Sequence, residues 1–203
     1  MTAARVLSDR GQTLPIYIWL TGILLFAAVA FFVFAQAASV RNGAQSAADA
    51  AALAAAQDAR DEMVDGLVAA IEADDDDWLD WLDGDKPVGD GAQAAAQALA
   101  ADNDSSLDGE AVRVVRDGYP GFRVNIQTNY TVGNSIIPGT ESMRGKAHAT
   151  AVIQPRCENV PPVDPLDPFE LDCDGETVTI DPGDFNPDDF PDASVLFSVH
   201  LVE

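Results

Sequence analysis

From Gln12 to Val40 the chain carries no charged side chain. The apolar core of that stretch runs from Leu14 to Ala35, 22 residues, enough to cross a hydrocarbon layer of about 30 Å as a helix. Tyr17 and Trp19 stand near its start, where an interfacial aromatic belt belongs. Pro15 falls in a first helical turn, where its missing N–H costs little. A cleaved secretory signal is the rival reading. Its apolar region is normally shorter, but Ala35-Gln36-Ala37 has the small-x-small form of a cleavage site.

The helical pattern continues past the span. Gln36 to Ala73 is rich in Ala, Gln, Asp and Glu and holds no proline, and alanine is the best helix former. Val64, Leu67, Val68 and Ile71 recur at the spacing of one helix face. Ala47, Ala51 and Ala55 form a row of small side chains, a helix-packing interface suited to close approach by another helix or by the domain's own sheet. Gly43 and Gly66 are weak points, each glycine costing about 1 kcal/mol. The helix from Leu14 to Glu72 is therefore either an unbroken rod of roughly 90 Å or one kinked near Gly43. Trp78, Leu79, Trp81 and Leu82 predict a short amphipathic helix N-capped from Asp74–Asp77. Its tryptophans either cover the core or form a docking patch. Another helix is expected from Ala92 to Ala101.

Beyond it the period falls from 3.6 to 2. Strands are expected over Val112–Arg116, Phe122–Val132, Lys146–Ile153, Thr177–Ile180 and Ser194–Val202. Asp117-Gly-Tyr-Pro-Gly121 has turn chemistry. The Pro/Asp-rich region 155–192 reads as mostly irregular. The fold class is α+β: an N-terminal transmembrane helix continuing into a long Ala-rich helix, then a small antiparallel β-sheet domain. The divisions are a short cytoplasmic tail 1–11, the transmembrane helix 12–40, an Ala-rich helical stalk with an acidic helical segment 41–101, and a β-rich extracytoplasmic domain 102–203.

Charge changes this picture in one respect. The formal net charge is -23, with 34 acidic and 11 basic residues. Arg5, Asp9 and Arg10 give the first forty residues +1, which leaves -24 on the other 163. Such a surface repels nucleic acid, so no nucleic-acid partner is expected. Arg5 and Arg10 before the span against Arg41 after it favour a cytoplasmic N-terminus. Outside the cytoplasm the two cysteines, Cys157 and Cys173, are expected to pair.

No catalytic constellation is found: no phosphate-cradling Gly loop, nucleophile elbow or His–Glu zinc helix. His148 and His200 fall in strand patterns and read as structural. No cofactor is expected. Asp184, Asn186, Asp188 and Asp192 follow part of a calcium-loop spacing, but Asp189 and Val195 stand where that loop needs Gly and Glu. A solvated acidic loop is the plainer reading.

Asp9 to Arg60 resembles the N-terminal region of the TadE/TadG-like proteins of Flp (Tad) pilus systems. The resemblance rests on Arg10-Gly-Gln12, the span, Arg41, and the run Gln45-Ser-Ala-Ala-Asp-Ala-Ala-Ala-Leu-Ala-Ala-Ala56. Leu196 to Val202 also looks like the end of short TadG-related membrane proteins. The resemblance implies a non-enzymatic, minor pilin-like or assembly role beside other pilus assembly or pilin-like membrane proteins. Two features depart from it. Ile16 stands where a pilin precursor cut after Gly11 would carry glutamate, and the Asp-x-Ser-x-Ser metal motif of longer TadG proteins is missing. The alternative is a membrane-anchored extracytoplasmic binding or sensor domain responsive to calcium.

Overall fold

The computed structural model describes residues 13–73, 78–84, 86, 88–133, 139–158 and 168–203. The expected tail 1–11 and the aspartate cap at 74–77 lie outside these residues. One helix, α1 (Thr13–Glu72), runs unbroken for 60 residues, about 90 Å at 1.5 Å per residue. The helix is not interrupted at Gly43. Gly43 and Gly66, the two glycines of α1 beyond the apolar span, are seats for aromatic rings. The Tyr130 hydroxyl lies where a Cβ on Gly43 would be, and the Trp81 ring covers Gly66 in the same way. Tertiary packing thus outweighs the propensity cost of each glycine.

Two short helices follow, α2 (Trp78–Leu82) and α3 (Ala92–Asp102). The main sheet holds β1 (Ser105–Leu107), β2 (Val112–Arg116), β3 (Tyr119–Thr131), β4 (Arg144–Pro155) and β8 (Phe197–Val202), all antiparallel. β1 and β2 lie end to end along one edge of β3; β4 pairs with its other edge, and β8 follows β4. A second, three-stranded sheet is built from β5 (Cys157–Glu158), β6 (Phe169–Cys173) and β7 (Glu176–Ile180).

Three expectations are corrected. The turn before β3 is only Asp117-Gly118, both at positive φ, the signature of a two-residue hairpin loop. Tyr119 and Pro120 already belong to the strand. The region 155–192 is not mostly irregular among its described residues, since β6 and β7 form a hairpin across Asp174-Gly175. The last strand begins at Phe197, because Ala193–Leu196 (α4) makes a helical turn first.

α1 and α3 pack on one face of the main sheet, α1 chiefly over β4 and β3. The strands meet it unequally. Facing pairs are Phe122 with Ala151, Val124 with Ala149, and Ile126 with Ala147, so β3 supplies bulk and β4 supplies methyl groups. Where it packs on β4, β3 and α3 the helix is also alanine: Ala44, Ala47, Ala48, Ala51, Ala52, Ala55, Ala56 and Ala59 are fully buried. A Cβ on Gly145 of β4 would sit 2.6 Å from the Val40 carbonyl oxygen and 3.0 Å from the Ala44 methyl. Helix and strand therefore approach as closely as backbones allow. Residues 41–101 and 102–203 share a single hydrophobic core, and the alanine-rich segment is a structural member of the domain.

Ala51→Leu places three extra carbons between α1 and the sheet. It is expected to cost about 1–3 kcal/mol through overpacking, whereas on a solvated helix leucine would be nearly silent. Chemical unfolding of the detergent-solubilised chain distinguishes the two; an unchanged midpoint would contradict the packing described here.

Candidate functional site: the helix joining span and domain

The part of α1 before Val40 touches almost nothing. Its most apolar 18-residue window has a mean hydropathy of 2.5 and no buried residue. Leu14, Tyr17, Trp19, Phe26, Phe31 and Phe34 are all more than 60% exposed. Side chains of this kind are stable in the open only against lipid or other apolar helices. At Val40 the surroundings change within one turn, and the same helix enters the domain core.

A bulge in β3 forms the collar at this crossing. Between Gln127↔Lys146 and Thr131↔Arg144 the register slips, so that β3 uses two more residues than β4. The slip would leave the Gly145 N–H without a strand partner. Thr128 supplies one: its hydroxyl accepts from Gly145 N at 3.0 Å and donates to the Tyr130 carbonyl at 2.7 Å. Asn129 N–H donates to the Asp104 carbonyl at 2.8 Å. The bulge carries Tyr130 onto Gly43, and β4 sets Gly145 against Val40 and Ala44. Two consecutive turns of α1 are thereby held from two directions. Nothing in the sequence period marked Thr128, because buried threonine alternates as any strand residue does.

Higher on α1, two carboxylates meet the start of α3. Glu62 accepts from the backbone N–H of Gly89 at 2.6 Å and of Asp90 at 3.0 Å. Asp58 lies against Gly91, the residue capping α3. A helix N-terminus favours negative charge, but burial first, then the charges of Glu62 and Asp61, raise the Asp58 pKa. The folded protein therefore binds this proton more tightly than the unfolded chain. Ionised Asp58 lowers stability as pH rises from the ordinary carboxylate range through its raised folded value. Asp58→Asn should raise the unfolding midpoint at neutral pH, with the gain shrinking as pH falls through that range. A gain that grew on acidification would reverse the sign.

The remaining candidates are dispersed. The Cys157–Cys173 disulfide joins directly opposed residues of β5 and β6. Ala47, Ala51 and Ala55 are buried within the domain, where α1 packs on β4, β3 and α3 of its own chain. Asn186 caps a 3-10 turn by accepting from Asp188 N–H, and its amide donates to Asp189 at 2.6 Å. Asp192 caps α4 by accepting from Ser194 N–H at 2.8 Å. Those hydrogen bonds to Ser194, aided by Arg60, lower the Asp192 pKa. Asp184 ends another 3-10 turn. Two of the four, Asn186 and Asp192, thus act as helix caps, in a loop where Phe185 lies edge-on to Phe190 at 5.6 Å. Among the described residues no three His, Cys, Asp or Glu side chains are grouped as a metal would need. His148 and His200 are both exposed.

Residues 11–58 match the family model Tad, described as "Putative Flp pilus-assembly TadE/G-like". The matched segment is about a quarter of the chain; it begins before the span and ends inside the buried alanine face. No curated protein and no solved structure matches the chain.

Proposed function

We propose that this chain is a non-enzymatic, single-pass membrane component of a Flp (Tad)-type pilus assembly or secretion apparatus, minor pilin-like or TadG-related. Its N-terminus is cytoplasmic and its acidic domain extracytoplasmic. The observation that carries the reading is the course of α1. From Thr13 on, the TadE/G-like segment is one helix whose first part is exposed and apolar and whose second part is the central element of a folded domain.

Such a design couples bilayer and domain without a flexible linker. Rotation or tilt of the span turns the domain with it, because the collar of Tyr130 and Gly145 grips α1 where it leaves the core. The alanine face is buried within the domain's own core, so contacts with other pilus assembly or pilin-like membrane proteins fall on the span and on the outer surface of the domain. Within the bilayer, helices associate through close van der Waals contact at small residues. A Cβ on Gly22 would meet nothing within 4 Å outside its own helix backbone, so this position lies open to such a helix.

The test has two parts. Cells lacking this gene should lose surface Flp pili and regain them when the full chain is supplied; normal piliation without it would overturn the reading. A reporter active only outside the cytoplasm, fused after Glu203, should be active and remain in the membrane fraction. Activity confined to a soluble product starting at Ala38 would replace the anchor by a cleaved signal.

A further inference from the structure

We infer that the junction between span and domain binds an anionic glycerophospholipid, with an acyl chain against α1 and the phosphate between Arg41 and Arg144. The inference rests on the reading of α1 as a membrane anchor and adds a ligand to it.

A groove of about 470 Å³ opens where α1 leaves the domain. One wall is the helix stripe Val33, Ala37 and Val40, spaced to share one face. That stripe continues toward the span the face on which Val40 and Ala44 meet Gly145 of β4; Ala37 is exposed and Val33 only partly covered among the described residues. The opposite wall carries Val132 and Met143, and Met143 is 55% exposed. An apolar surface of this kind beside a span is stable when a lipid chain covers it.

The cations fall at the matching depth. Val33 lies at the end of the apolar core, and Arg41 stands eight residues on, about 12 Å along the helix, the level of phosphate groups above the hydrocarbon. Arg41, Arg144 and Lys146 all line the groove. Arg41 and Arg144 are exposed, and among the described residues neither joins an ion pair. Of the acids nearest in sequence or contact, Asp108 is held by Lys146 at 2.9 Å, and Glu141 accepts from the Gly139 N–H at 2.9 Å. In a chain of net charge -23, an anionic bilayer surface would repel the domain at large. The cationic rim is confined to the end that faces the bilayer, where arginine can extend to phosphate. Arginine also offers paired donors that fit phosphate oxygens.

The experiment uses the full chain carrying Met143→Cys, labelled with an environment-sensitive fluorophore and reconstituted in vesicles of phosphatidylcholine with or without phosphatidylglycerol. The label should enter an apolar environment, more completely with phosphatidylglycerol, and headgroup-quencher lipids should quench it. In Arg41→Gln/Arg144→Gln the dependence on phosphatidylglycerol should fall several-fold. Native mass spectrometry of the detergent-solubilised chain should show retained phosphatidylglycerol that the double variant loses. A label that stays in water in every vesicle overturns the site, as does one whose response ignores both phosphatidylglycerol and the arginine changes. A response that follows protein-to-lipid ratio instead assigns the groove to a second span and also overturns it. Failure to reconstitute at all would instead sink the anchor on which the inference rests.

Discussion

Trp78→Ala is expected to destabilise the chain by about 3–5 kcal/mol, the usual cost of truncating a fully buried tryptophan. Trp78 is 2% exposed and stacks on Phe169, with ring centroids 4.9 Å apart and planes 14° from parallel. The stack joins α2, which follows the top of α1, to β6 of the small sheet. Loss of the indole therefore removes apolar burial and the contact between two elements distant in sequence. Such a pair contributes about 0.5–1.5 kcal/mol beyond its area. Trp78→Phe keeps an aromatic surface for Phe169 and should recover part of the loss. Chemical unfolding of the detergent-solubilised chain, followed by near-ultraviolet circular dichroism, measures each variant. If Trp78 were instead a docking residue for a partner, Trp78→Ala would leave the midpoint unchanged.

The two tryptophans of α2 show where the sequence pattern was sufficient and where it stopped. Their spacing placed both on a short helix, which α2 is. It did not show that Trp81 would rest on Gly66, a glycine whose lack of a side chain makes room for the ring. The same holds at Gly43 and Tyr130. Each glycine weakens an isolated helix, and only the partner ring, far away in sequence, reveals its use. The helix Ala92–Asp102 and the strand Val112–Arg116 were legible because local periodicity decides them. Strand β6 alternates as regularly, Phe169-Glu-Leu-Asp-Cys173, and ends at an Asp-Gly turn. Its surroundings of proline and aspartate masked that signal. The bulge at Thr128 leaves no trace in period or composition, since it depends on the separation that Gly145 permits. At the candidate site, the exposed apolar half of α1 was legible from hydropathy and the collar that grips it was not.

The disulfide ties compartment to stability, and its removal should have the second large effect. Cys157 and Cys173 are sixteen positions apart; closing a loop of that size contributes roughly 3 kcal/mol by restricting the unfolded chain. Both sulfurs belong to a face that adjoins the core, Cys173 being buried with Leu171 and Phe169. Reduction therefore loosens the strand on which Trp78 stacks. Full-length chain exported across the membrane should carry the bond, because oxidising compartments maintain it and the cytosol does not. A chain lacking residues 1–40 stays in the cytosol and should be isolated with two free thiols. Thiol labelling before and after reduction, on both forms taken directly from cells, gives the redox state; unfolding with and without reductant gives the energy. Cys157→Ser should reproduce the reduced midpoint, and reductant should not lower that variant further. Free thiols in the full-length chain would contradict the proposed orientation of the domain. An oxidised chain whose midpoint ignored reductant would show instead that hydrogen bonding along β5, β6 and β7 suffices to hold the small sheet on Trp78.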